Sequence, residues 1–157
     1  MSSTIDRLTR HLEEVFGRRH PLDGERLIVG FSGGADSCAL LLGLARADLP
    51  GAPLAVHVDH RLDPESTRRA ERARELAERI GVELHVRSGT VSEDALKRDG
   101  LESAARDLRY RLLETERLES GARWIATAHH RDDQIETALL RMSRGSGLRG
   151  LAAMPAS

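Results

Sequence analysis

The chain is poor in cysteine and in aromatic residues, and it is nearly neutral. One cysteine, Cys38, occurs in 157 residues. That excludes a disulfide framework, a Cys-x-x-Cys redox pair and a cysteine-built zinc site within the chain. Cys38 lies in an apolar run, where a buried structural thiol is the expected role. Aromatics make up 3 % of the residues, which argues against a stacking platform for single-stranded RNA in this segment. The formal net charge is -1, so the chain as a whole is not a basic nucleic-acid binder. Charged residues nevertheless reach 31 %, and arginine greatly outnumbers lysine, so local basic faces remain open. No apolar run approaches the roughly 18 residues of a membrane span, and no signal-peptide pattern opens the chain. The expectation is a soluble, cytoplasmic single domain with no membrane partner.

What is present is a regular alternation of apolar runs and helical periods. Ile5, Leu8, Leu12, Val15 and Phe16 predict a helix over 4–16, capped by Ser3 or Thr4. Leu27 to Phe31 reads as a first strand, followed by a glycine turn and a helix to about Ala47. Pro53 to Val58 reads as a second strand, and Asp63-Pro64 as a helix start. Ala70, Ala73, Leu76, Ala77 and Ile80 supply that helix's stripe, and Gly81 stops it. Val82 to Val86 is a third strand, and 88–100 is polar with a single helical turn near Ala95. Leu101, Ala104, Ala105, Leu108, Leu112 and Leu118 predict one face of a long helix. Trp124 to Ala128 is a fourth strand, and Gln134 to Arg141 a last helix. There is no internal repeat. Strands separated by helices imply a doubly wound, Rossmann-like parallel α/β sheet. With a strand order of 3-2-1-4(-5), the order reverses between strands one and four, where such sheets bind ligands.

Three polar clusters follow three of these strands. Ser32-Gly33-Gly34-Ala35-Asp36-Ser37 lies between the first strand and its helix. Strand, glycine turn and helix aim backbone N–H groups at an anion, and the two serines add hydroxyls. No Gly-Lys-Ser/Thr follows, so this is not a Walker A loop. Phosphate charge must then be met by Mg²⁺, arginine and backbone amides. Asp36 suits a metal held on the phosphates, or a substrate proton. His57-Val58-Asp59-His60 ends the second strand, and His129-His130-Arg131-Asp132-Asp133 follows the fourth, with Glu136 beyond. The histidines lack HExxH spacing, and helix capping is an equally simple role for the aspartates. Gly145 to Gly150 matches GxGxxG, but a helix precedes it rather than a strand. It reads instead as a loop offering Arg144 and Arg149 to phosphate or RNA. Glu102, Arg106, Arg109 and Tyr110 form a solvated, salt-bridged stripe, and Arg68, Arg69, Arg72 and Arg74 read as surface charge.

Taken together these motifs resemble a known family. Ser-Gly-Gly-x-Asp-Ser after a first strand is the signature of PP-loop ATP pyrophosphatases, which cleave ATP between its α- and β-phosphates. His57 to His60, Ala104-Ala105-Arg106 with Arg109-Tyr110, Ala128 to Gln134 with Glu136-Thr137, and Arg144 to Leu151 resemble the tRNA(Ile)-lysidine synthases in particular. The resemblance runs from residue 27 to the end and implies the adenine nucleotide alpha-hydrolase fold. It implies ATP-dependent ligation of free L-lysine to C2 of the wobble cytidine of tRNA(Ile), whose anticodon is CAU. An adenylated cytidine is the intermediate, and pyrophosphate and AMP are released. ATP and Mg²⁺ are the implied cofactors. Ser32, Gly33, Gly34, Ala35, Asp36 and Ser37, with His57 and Asp59, are expected at the nucleotide, and Asp36 at the metal. Asp36, Arg106 and Asp133 are the expected catalytic residues. Arg106, His130, Asp132, Asp133, Glu136, Arg144 and Arg149 are expected at lysine or tRNA. Residues 1–157 are expected to be one catalytic domain, cut short at its C-terminus, without the tRNA-binding domains that follow in family members. Alternatives are another PP-loop tRNA-modifying enzyme, such as a thiolase, and a non-catalytic nucleotide-binding module.

Overall fold

The computed structural model describes residues 3–15, 25–61, 64–128 and 139–142. The first helix, α1 (Thr4–Glu14), starts on a reciprocal cap. The Asp6 amide donates to Ser3 Oγ at 3.1 Å, and the Ser3 amide donates to Asp6 Oδ2 at 2.8 Å. Next come β1 (Leu27–Gly30), α2 (Ala35–Arg46), β2 (Pro53–Asp59) and α3 (Ser66–Ile80). They are followed by β3 (Leu84–Ser88), α4 (Glu93–Glu119), β4 (Trp124–Thr127) and β5 (Leu139–Met142). The sheet order is β3-β2-β1-β4-β5. β1 runs parallel to both neighbours, Leu27 pairing with Pro53 of β2 and with Trp124 of β4. β2 and β3 are also parallel. The predicted 3-2-1-4 order and its reversal beside β1 are therefore the observed ones.

Side chains alternate across β1 and so build two cores. Leu27, Val29 and Phe31 pack with Leu12 of α1, Leu40, Leu41 and Leu44 of α2, and Ala73 and Ala77 of α3. Ile28 packs on the opposite face with Leu54 and Val56 of β2 and Leu113 of α4. Helices thus cover both faces, and only the ends of the parallel strands remain for a ligand.

The structure shifts several predicted boundaries. α3 begins at Ser66 with Glu65 as N-cap, while Pro64 lies in a turn before it. β3 starts at Leu84 rather than Val82. The polar stretch before residue 100 is largely helical. Ser92 Oγ accepts from the Ala95 amide at 3.3 Å, and Glu93 and Asp94 occupy the favourable first turn. Gly100 breaks the helix at φ 76°, ψ 165°, and α4 resumes beyond it. Its buried line is Ala104, Leu108, Leu113 and Glu116, while Leu101 and Leu118 are exposed. A strict four-residue spacing drifts off one helix face, so the contact must step sideways. At the far edge, 139–142 is a strand antiparallel to β4, where a helix was expected. Leu-Leu-Arg-Met is a short, mostly apolar run whose length suits a strand as well as a helix end.

Candidate phosphate-binding cleft

A cleft of about 220 Å³ opens at the carboxyl ends of β1, β2 and β4. Its β1 wall is Gly30, Phe31, Ser32 and Ser37. The Phe31 amide donates to the Val56 carbonyl at 2.9 Å and carries the β1–β2 pairing one residue past the strand. The chain then turns at Gly33, whose φ of 80° is one that side chains resist. Gly34 caps α2 in extended conformation and supplies no capping side chain. Its amide donates to Ser32 Oγ at 3.3 Å, and the Ser37 hydroxyl donates to the Gly34 carbonyl at 3.0 Å. Ser32 Oγ lies 3.0 Å from Ser37 Oγ. With the Ser37 proton already given to a carbonyl, Ser32 is the donor of that pair.

This arrangement fits phosphate. A helix N-terminus leaves backbone N–H groups without intrahelical partners, and Gly34 supplies no side chain to cap them. Anionic oxygens would complete them, with two hydroxyls already turned into the bend. Asp36 sits half-buried in the first turn of α2. Among the described residues no group of three His, Cys, Asp or Glu could hold a metal. One carboxylate fits Mg²⁺, which is often bound by one or two carboxylates together with substrate phosphates. Cys38, two residues further, packs against the core, and burial raises its thiol pKa despite Arg72 nearby.

The β2 wall is Val56 to His60. His57 is only 5 % exposed. Its Nδ1 lies 2.9 Å from the Phe31 carbonyl, and since a carbonyl only accepts, Nδ1 carries the proton. His57 thereby ties β2 to the start of the glycine turn. Asp59 Oδ1 accepts the Arg61 amide at 2.8 Å, holding Arg61 at a left-handed φ of 50°. His60 Nδ1 is buried and has no hydrogen-bond partner among the described residues. Burial first, and then the Arg109 guanidinium, lower the His60 pKa, against an opposing pull from Asp59.

The remaining walls come from β4 and two helices. Thr127 and Ala128 reach the cleft from β4. Gly30, paired with Thr127, must be small, because a Cβ there would fall 2.9 Å from Thr127 Cγ2 and 3.3 Å from Leu113 Cδ1. Ser66 and Arg69 enter from α3, and Arg109 and Leu113 from α4.

Of the residues singled out in the sequence, Ser32, Ser37, His57 and Asp59 line this cleft. Gly33, Gly34, Ala35 and Asp36 form the adjoining turn and helix start. Arg106 is placed elsewhere: it is exposed, with its guanidinium 5.3 Å from the Tyr110 ring centroid, and the cleft lining on α4 is Arg109 and Leu113. His130, Asp132, Asp133, Glu136, Arg144 and Arg149 lie outside the described residues. His60 belongs to the cluster expected alongside the turn, whereas the polar lining residues Ser66, Arg69, Arg109 and Thr127 were not singled out for this site in the sequence. Arg69 looked like ordinary surface charge. Its signal was position, since it stands in the first turn of the helix after β2, as Asp36 does after β1.

An open, mostly parallel α/β sheet with an uncapped glycine turn at its reversal point defines a phosphate-binding domain of the doubly wound class. The PP-loop domain family matches across residues 4–157, and the chain belongs to that family. Among curated proteins, the chain is 42 % identical over 137 residues to the tRNA(Ile)-lysidine synthase of Neisseria meningitidis serogroup B, covering 86 % of this chain and 30 % of that protein. It is 45 % identical over 136 residues to the same enzyme of Bradyrhizobium sp., covering 84 % of this chain and 37 % of that one. The chain therefore spans about a third of the length of these relatives. Among solved structures, a U34-tRNA thiolase, NcsA, from Methanococcus maripaludis shares the fold. It has a TM-score of 0.59 and 18 % identity, over 78 % of this chain and 44 % of that one. The NH3-dependent NAD synthetase of Campylobacter jejuni gives 0.58 at 15 % identity, over 79 % and 56 %. Among the described residues no helix is long and apolar enough to cross a membrane.

Proposed function

We propose that this chain is the ATP-using catalytic domain of a tRNA(Ile)-lysidine synthase. The observation that carries the reading is the uncapped Ser32–Ser37 turn opening into a cleft shared by the ends of β1, β2 and β4. The 40–45 % identity to lysidine synthases supports the particular reaction. In this reading ATP supplies an activating adenylyl group. The amides of the turn, with Ser32 and Ser37, hold the phosphates that leave as pyrophosphate, and Asp36 is the residue that would hold a Mg²⁺ ion, whose charge would offset theirs. The wobble cytidine of a CAU anticodon enters over the strand ends, and its C2 oxygen takes the adenylyl group. The amino group of free lysine then attacks C2 and expels AMP. His57 and Asp59 border the nucleoside, with the buried His57 fixing the height of the turn. Arg106, His130, Asp132, Asp133, Glu136, Arg144 and Arg149 remain the proposed contacts to lysine and tRNA, with Asp133 nearest the chemistry and Arg106, exposed outside the cleft lining, toward the RNA. Work in the cytoplasm follows from a tRNA substrate.

The test is incubation of the complete encoded protein with labelled lysine, ATP, Mg²⁺ and a tRNA(Ile) transcript. Label carried into tRNA, with one AMP formed per lysine joined, is the expected result. ATP bound without transfer would leave a nucleotide-binding module. Sulfur incorporation in place of lysine would mark a thiolase.

A further inference from the structure

Arg69 and Arg109 belong to helices on opposite faces of the sheet. α3 packs through Ala73 and Ala77 on one core, and α4 through Leu113 on the other. Both arginines nevertheless line the same cleft, and both press on the charge of His60. Both are exposed, whereas Ser37 and His57 deeper in the cleft are each 5 % exposed. Arg109 has no carboxylate partner among the described residues.

We propose that Arg69 and Arg109 form a clamp at the mouth of the cleft for a backbone phosphate of the polynucleotide substrate. This rests on the reading above that the substrate is an RNA. A small nucleotide is held by the floor, where the turn supplies its amides. A macromolecule must lie across the mouth, and the mouth is where the two guanidiniums stand. A phosphodiester presents two free oxygens and can accept from donors on two sides, while a planar carboxylate is satisfied by one guanidinium fork. His60 adds no third cation at neutral pH, since burial and Arg109 lower its pKa.

The experiment uses the complete encoded protein, an unmodified tRNA(Ile) transcript and, separately, a fluorescent ATP analogue. Arg69→Ala and Arg109→Ala should each weaken tRNA binding about tenfold. The double variant should lower the slope of log affinity against log salt by about one. Affinity for the ATP analogue should stay within about twofold in all of them. Arg69→Lys and Arg109→Lys should keep the salt slope and recover part of the affinity. Arg68→Ala, whose Nη1 pairs with Glu65 at 3.2 Å, should change nothing. Unchanged tRNA binding in the double variant overturns the clamp. So does an equal or larger loss of ATP affinity, which would assign these arginines to the nucleotide's own phosphates. The two readings separate cleanly. Lysine transfer in the wild type with arginine-independent tRNA binding ends the clamp alone. Arginine-dependent tRNA binding without lysine transfer ends the proposed reaction alone.

Discussion

The cleft and the β3 corner beside it use the same residue types to opposite ends. Below β3, Glu116 of α4 is 1 % exposed, yet its charge is fully answered. Oε1 lies 2.8 Å from His85 Nδ1, and Oε2 pairs with Arg87 Nε. Arg87 also reaches Glu119, His85 Nε2 reaches Glu83 at 3.1 Å, and Glu83 pairs with Arg26 at 3.0 Å. Burial pushes the Glu116 carboxyl up, but the bonds from Arg87 and His85 outweigh it and hold the pKa low. In the cleft, by contrast, a helix start lacks a capping side chain, and among the described residues His60 Nδ1 lacks a partner and Arg109 a carboxylate. Charge that is internally complete stabilises a fold. Polar groups left incomplete at strand ends await a ligand. The comparison therefore predicts that changes in the cleft cost activity and changes at the corner cost stability.

The largest effect should fall in the cleft. Asp36→Asn in the complete protein should lower lysine transfer on the order of 10²–10³-fold, the size expected when a group facing transition-state charge is lost. Unfolding free energy should drop by about 1 kcal/mol, the scale of a first-turn charge at a helix N-terminus. Parallel denaturant titrations and transfer assays check both halves. A large stability loss with activity to match would erase the contrast.

The corner should behave the other way. Arg87→Ala leaves Glu116 buried with only His85 to answer it. Removing one partner of a buried pair costs about 3 kcal/mol. Urea unfolding should register that loss while affinity for the ATP analogue stays unchanged. Glu116→Gln should cost less, because the amide keeps a hydrogen bond and the two cations can turn to solvent. If Arg87→Ala were neutral, the corner would be surface decoration rather than structure.

Gly30→Ala tests the one place where the two behaviours meet. Its added Cβ would push on Thr127, which lines the cleft, and on Leu113, which fills the core. An overpacked methyl costs about 1–3 kcal/mol. Here the stability loss should come with weaker ATP-analogue binding, both measured on one preparation. A loss of stability alone would mean that the strands shift without disturbing the turn.

Much of this contrast was legible in the sequence on one side and hidden on the other. The sheet order and the turn were readable because each depends on local signals. These are apolar runs of strand length, glycines at the turn, and a helical stripe ended by Gly81. The cleft's floor followed from the rule that ligands sit at the reversal point. What sequence could not give was the phase of α4. Leu118, taken for core, is 64 % exposed, while Glu116, a charged residue, is buried in its place. Glu116 can be buried only because His85 and Arg87 come alongside from β3, a meeting that no spacing in the sequence records. The same phase decides that Arg109, rather than Arg106, lines the cleft. Arg69 was hidden for a related reason. An arginine in an arginine-rich helix looks solvated until the strand before it is seen to end at the cleft.

The smallest effect concerns pH, and its sign separates corner from cleft. His85 has its pKa raised by its bond to Glu116 first, with Glu83 adding to it against a smaller penalty from burial. A raised folded-state pKa contributes stability that is complete below the unfolded value, about 6.5. That contribution is lost as pH rises through the higher folded value. The Glu116 contribution has the opposite sign, present above a carboxylate's unfolded pKa and lost as acid protonates the folded form. Between these limits the protein should be most stable in mildly acidic buffer and weaken on the alkaline side of His85. The side chain of His85 is 40 % exposed, so solvent screening keeps the change below about 1 kcal/mol. Thermal melts from pH 5.5 to 8.5 should show a shallow decline, and His85→Gln should flatten it. His60, whose pKa is lowered, contributes with the opposite slope: its share appears as pH rises and is lost as pH falls through its folded value. A decline that survives His85→Gln would therefore belong to neither histidine, and the corner would lose its claim to be the pH-sensitive part of the fold.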